Sequence, residues 1–146
     1  MSNKSFSASV TDWSDKVKRM NDEIVRESAR LLLAELVRNM PHETGNLARS
    51  VKVTLNGIVP VDRDPDKIYT DLSGANAATL LQVEAGQNVY VSIPAPYAKR
   101  VNYGQSSTDG AGRYFNQAGS FFFEITASKW QTIVNQAVAN VKAKHG

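Results

Sequence analysis

Residues 11–55, TDWSDKVKRMNDEIVRESARLLLAELVRNM PHETGNLARS VKVTL, hold two hydrophobic periods separated by a proline. In the first part Trp13, Val17, Met20, Ile24, Leu31, Leu32, Leu36 and Met40 recur three or four apart with some drift, and no Gly or Pro intervenes. That spacing predicts one long amphipathic helix over 11–40. Thr11 or Asp12 is expected to cap it, and Asp12 and Asp15 suit the positive end of its macrodipole. Pro41 should end it, since proline disfavours the helical conformation in the residue before it. At 1.5 Å per residue such a helix is about 40 Å long, more than one face of a small domain, so part of it is expected to lean on a neighbour. After Ser50 the period becomes two, with Val51, Val53 and Leu55 alternating with Lys52 and Thr54. Asn56-Gly57 and then Ile58, Val59 and Val61 follow, which predicts a β-hairpin.

Beyond this stretch, Leu80–Glu84 and Asn88–Ile93 read as a second strand pair turning at Gly86-Gln87, ended by Pro94 and Pro96. Residues 62–78 are rich in turn formers and are expected to be a long loop. Residues 102–119 contain four glycines among Ser, Thr and Asn and are expected to be a second, mobile one. Phe123, Ala127, Trp130, Val134, Ala137 and Val141 form a four-three ladder that predicts a C-terminal helix, capped by Ser120 or Ser128. Trp130 and Tyr97 are expected in the core; Phe121 and Phe122 lie off the ladder, one of them free to fill a pocket on a neighbour. The expected architecture is α+β, an antiparallel sheet packed against the long N-terminal helix and the C-terminal helix. It is read as one domain over 1–146, with residues 1–10 a flexible N-terminus.

Composition narrows the function. The chain has 146 residues, no cysteine and a formal net charge of +3. Disulfides, thiolate catalysis and cysteine metal sites are thereby excluded. No apolar run is long enough for a membrane span, and the Ser-rich start lacks the apolar core of a secretory signal. His42-Glu43 opens like a zinc-protease motif, but Asn46 stands where the second histidine is needed. Asp62, Asp64 and Asp66 resemble the opening of a calcium loop, yet Lys67 replaces the glycine and Ser73 the bidentate glutamate. A solvated acidic loop is the plainer reading, and a metal-dependent hydrolase or nuclease using these three is the competing one. No catalytic, cofactor or metal site is therefore expected. The long helix balances six basic with six acidic residues, many four apart, so it reads as a salt-bridged solvent face. Residues 99–144 carry six basic against two acidic, a mildly positive surface suited to a phosphate backbone or simply ordinary surface charge.

Two segments carry more information. Pro41-His42-Glu43-Thr44-Gly45-Asn46-Leu47-Ala48-Arg49-Ser50 follows the long helix. There Pro41 breaks the helix, Thr44 can cap a new turn, Gly45 frees the backbone and Leu47 pins the turn to the core. In Pro96-Tyr97-Ala98-Lys99-Arg100-Val101-Asn102-Tyr103-Gly104, Tyr97 and Val101 make one apolar face of a short helical turn.

Together these resemble the tail-completion, or neck, family of tailed bacteriophages, which includes the lambda-type minor tail protein Z. Pro41, Thr44, Gly45, Leu47 and Ser50 match that family's P-x-x-T-G-x-L-x-x-S; Tyr97, Ala98, Val101 and Gly104 match its Y-A-x-x-V/I-x-x-G. Asn102 stands where the family usually has an acidic residue. The resemblance implies a structural virion protein of the neck or head–tail junction, assembled in the host cytoplasm and without a catalytic site. It implies a ring of six copies around the DNA channel, joined to the tail terminator, tail tube and head-completion or connector proteins. Lys99, Arg100 and Arg113 would then be candidates for non-specific contact with the genomic DNA. A tail terminator or other head–tail connector is the alternative.

Overall fold

The computed structural model describes residues 5–42, 45–108 and 114–145. Its spine is α1, Phe6–Asn39. The helix begins earlier than its hydrophobic ladder: Ser5 is extended (φ −63°, ψ 161°) and its Oγ accepts the Ala8 N–H at 3.2 Å. Phe6–Val10, expected within a flexible terminus, therefore forms the first turns, and Thr11 and Asp12 lie inside the helix rather than at its cap. A serine cap satisfies an orphan N–H, and nothing between Phe6 and Val10 breaks a helix. The end falls where proline puts it, with Met40 extended at φ −72°, ψ 145° before Pro41.

A short α2 (Asn46–Ser50) leads into β1 (Lys52–Thr54), and here the structure departs from the predicted hairpin. β1 pairs antiparallel with the distant β2 (Tyr90–Ser92), in register Lys52↔Ser92, Val53↔Val91, Thr54↔Tyr90. A two-residue type I′ turn needs positive φ at both central positions. Among the described residues Phe121 alone of the non-glycines has it, so Asn56 does not. Thr54 Oγ1 instead donates to the Gly57 carbonyl, and the Val59 N–H goes to Ser92 Oγ at 3.0 Å. The 58–61 run thus passes beside β2 outside the ladder, with Ile58 and Val61 exposed.

The second predicted strand pair is also absent, because Leu80 closes a helix, α3 (Ser73–Leu80). α3 also occupies the end of the segment expected as the 62–78 loop. After β2, α4 (Ala98–Tyr103) runs into the antiparallel pair β3 (Gly104–Thr108) and β4 (Tyr114–Ala118). Residues 102–119 are therefore largely a ladder rather than a loop; positions 109–113 lie outside the described residues. The C-terminal helix is two helices, α5 (Phe122–Ser128) and α6 (Trp130–His145), broken at Lys129.

Across that break the predicted ladder holds at Ala137 and Val141, while in α5 the buried face lies one residue earlier, at Phe122 and Thr126. Phe122 is 1 % exposed and sits in the main core with Leu36, Met40, Leu47, Val51, Tyr69 and Ala95. Phe123 and Trp130, expected inside, are exposed, while Ile133, Ala137 and Val141 are the buried face of α6. A second cluster, Ala29, Val53, Leu80 and Val83, ties α1 to β1 and α3. The fold is α+β and mostly helical among the described residues, with two small two-stranded sheets, of which β1–β2 packs against the long first helix.

Candidate functional site

The first motif folds into a turn around Gly45, whose φ of 75° is left-handed. Leu47 enters the core, and Ser50, fully buried, donates its hydroxyl to the Leu47 carbonyl at 2.7 Å. Thr44 lies outside the described residues. A side chain at position 45 would meet the Arg49 guanidinium at 2.9 Å, a flexible end that can move, so the backbone sets most of the cost. Gly45→Val is expected to destabilise by about 1–3 kcal/mol, whereas Gly45→Asn, which tolerates this region, should lose less. Chemical denaturation of both checks it, and equal stabilities would contradict it.

Asn46 joins this turn to the second motif. Its Nδ2 donates to the Lys67 carbonyl at 3.0 Å and to Tyr97 Oη at 2.8 Å, and its Oδ1 accepts the Tyr69 N–H at 2.8 Å. Arg49 Nε donates to the Tyr69 carbonyl at 3.1 Å. In the sequence Asn46 is legible only as the residue that spoils a zinc motif. Its partner Tyr97 is 51 positions away, so no local pattern could reveal the role.

In the second motif Tyr97, Ala98 and Val101 pack half-buried against the main core. The Val101 N–H returns to the Tyr97 carbonyl, closing the helical turn, and Gly104 ends α4 at φ 83°. Asn102 is buried: it donates to Glu124 Oε2 at 2.9 Å, accepts the Phe123 N–H at 3.0 Å, and its carbonyl accepts the Phe121 N–H. The amide of Asn102, then the Tyr103 hydroxyl, hold the Glu124 carboxyl below its ordinary range. A Cβ at Gly119 would come within 2.6 Å of the Tyr103 carbonyl carbon, so only glycine fits where the chain closes on α4.

The acidic segment is engaged within the chain. Tyr69 Oη donates to Asp62 at 2.6 Å and Lys67 Nζ lies 3.3 Å from the same carboxylate. These partners, Tyr69 first, lower the Asp62 pKa. Asp64 accepts the Asp66 N–H in a local turn. Among the described residues no three metal-ligating side chains converge.

Glu35 of α1 is buried and receives Lys129 Nζ at 2.6 Å, Asn39 Nδ2 at 3.3 Å and the Arg38 guanidinium. This cluster fixes the point at which α5 gives way to α6. The Lys129 hydrogen bond is the largest cause holding Glu35 below the ordinary 4.5. A carboxylate with a lowered folded pKa stabilises the fold above its unfolded value, and that contribution is lost as pH falls through the folded pKa. Stability is expected to decline below about pH 4.5, with Glu35→Gln weaker at neutral pH but shallower in its acid limb. Denaturation midpoints against pH check this, and parallel curves would contradict it.

Lys99 and Arg100 are exposed on α4, while Arg113 lies outside the described residues. The start of α1 is bare: residues 9–19 are exposed throughout, with Phe6 at 85 % and Trp13 at 67 %, and Ile58, Ile68 and Leu81 are exposed elsewhere. No helix among the described residues is long and apolar enough to cross a membrane. The arrangement offers two rigidly cross-braced turns and a projecting helix, chemistry suited to contact.

Residues 4–104 match the HK97-gp10-like family, described as "Bacteriophage HK97-gp10, putative tail-component". The matched region contains both motifs and stops at Gly104, the last motif residue. No curated protein and no solved structure matches the chain.

Proposed function

The chain belongs to the HK97-gp10-like family of phage tail components, and on that premise we propose that it is a structural protein of the neck, a ring component joining tail to head. It acts by shape and burial of surface, without turnover of a substrate. The observation that carries the reading is α1, whose first turns project with their apolar side chains exposed. An isolated helical stretch gains little stability without packing, so this one is built for a partner. The two motif turns, braced by Asn46 to Tyr97, give the body the rigidity that a repeated subunit needs. Six copies would surround the DNA channel and meet the tail terminator, tail tube and head-completion or connector proteins. Lys99 and Arg100 supply exposed positive charge for non-specific phosphate contact there.

Electron microscopy of particles carrying a tagged copy tests the proposal. Density at the collar between head and tail, and unjoined heads and tails when the gene is deleted, are expected. Label elsewhere in the particle, or normal joining without the protein, would overturn it.

A further inference from the structure

α1 carries an apolar stripe at Phe6, Val10, Trp13 and Val17, spaced four, three and four. α6 lies along the later part of α1, held from Lys129 at Glu35 to His145 at Glu23. The stripe lies beyond Glu23, on the part of the helix that projects. A second exposed apolar surface is a groove of about 420 Å³ between α1 and α5, floored by Leu32, Leu36, Val91, Phe123, Ala127 and Trp130. Phe123 is 53 % and Trp130 47 % exposed. The two surfaces cannot meet within one molecule, because both belong to the same uninterrupted helix. From Val17 to Leu32 the axis rises about 22 Å.

We propose that the stripe of one copy docks into the α1–α5 groove of a second copy. This rests on the ring reading above and supplies its subunit contact. A helix presenting anchors at i, i+4 and i+7 is the ligand that an apolar groove between helices accepts. The face offered differs from the face received, so copies add head to tail and close into a ring when the rotation allows. Aromatic side chains bury about 150–250 Å² each. Phe6 and Trp13 with two valines, against the half-exposed Phe123 and Trp130, therefore remove on the order of 600 Å² of apolar surface. Polar flanks bring the total towards the roughly 1,200 Å² at which specific contacts begin. Each contact is weak alone and is reinforced when the ring closes.

The chain has no cysteine, so single cysteines report the contact cleanly. Ser14→Cys places a thiol beside Trp13, and Gln131→Cys places one beside Trp130. Oxidation of the mixed variants is expected to give cross-linked dimers, with little from either variant alone. Dominant Ser14→Cys homodimers would mean stripe against stripe and would overturn the proposal. In sedimentation, Trp13→Glu and Trp130→Glu are each expected to weaken self-association at least tenfold. Both tryptophans are exposed, so circular dichroism should stay unchanged. Mixing the two variants should restore dimers and nothing larger, since each retains one intact face. Undiminished association of either variant, or a wild-type chain that stays monomeric at millimolar concentration, would overturn the contact. Collar density in particles that assemble normally with these variants would sink this interface while leaving the ring reading intact. Absence of the tagged wild-type chain from the collar would sink the ring reading instead.

Discussion

Phe122→Ala is expected to destabilise the protein by about 3–5 kcal/mol, the usual loss when a fully buried aromatic is truncated. Phe122 is the largest fully buried side chain among the described residues. It sits where α5 meets Leu36 of α1 and Met40 just past its end, beside Leu47 of the first motif and Val51 just after it. Truncation opens a cavity at the point where the N-terminal and C-terminal halves share one core. With total stabilities of about 5–15 kcal/mol for a domain, that is a large fraction. Phe123→Ala, one residue along and 53 % exposed, is expected to change stability by less than about 1 kcal/mol. Urea or guanidinium unfolding of the pair checks the register directly; a larger loss at Phe123 would show α5 rotated by one residue.

Asn76→Leu should cost about 2–6 kcal/mol, from two buried backbone groups left unpaired at about 1–3 kcal/mol each. Asn76 of α3 is 6 % exposed, accepts the Val53 N–H at 3.0 Å and donates to the Val51 carbonyl at 2.9 Å. β1 has β2 as a ladder partner on one edge, and the amide of Asn76 serves its other edge as a further strand would. The leucine keeps the volume and the apolar contacts with neighbours, so the loss isolates the hydrogen bonds. Hydrogen exchange supplies the specific signature: the Val53 amide should lose protection well before those of mid-α1. Unchanged protection at Val53 would remove the assignment. Because β1 follows Ser50 directly, a loosened β1 should also loosen the first motif turn.

Much of the motif chemistry became visible only in three dimensions. Gly45, Leu47 and Ser50 stand in a turn whose sequence was suggestive, since a proline, a glycine and a buried leucine act over a few residues. Asn46 and Asn102 were legible only as misfits to motifs, yet their amides tie the two turns to each other and to α5. An asparagine that bridges distant segments leaves no periodic trace, because its partners are set by the fold.

The amino-acid sequence by itself determined the long first helix and its stop at Pro41, the α+β class, and the kinship carried by the two motif turns. These rest on interactions within a few residues, namely helical period, cap chemistry and the steric effect of proline on its predecessor. Only the tertiary structure decided that β1 pairs with β2 rather than with 58–61, and that the C-terminal helix breaks at Lys129. The first depends on Asn76 and Ser92 reaching across the chain, the second on a buried carboxylate 94 residues earlier. Such choices are settled by the burial and pairing of groups far apart along the chain, where local propensity is silent.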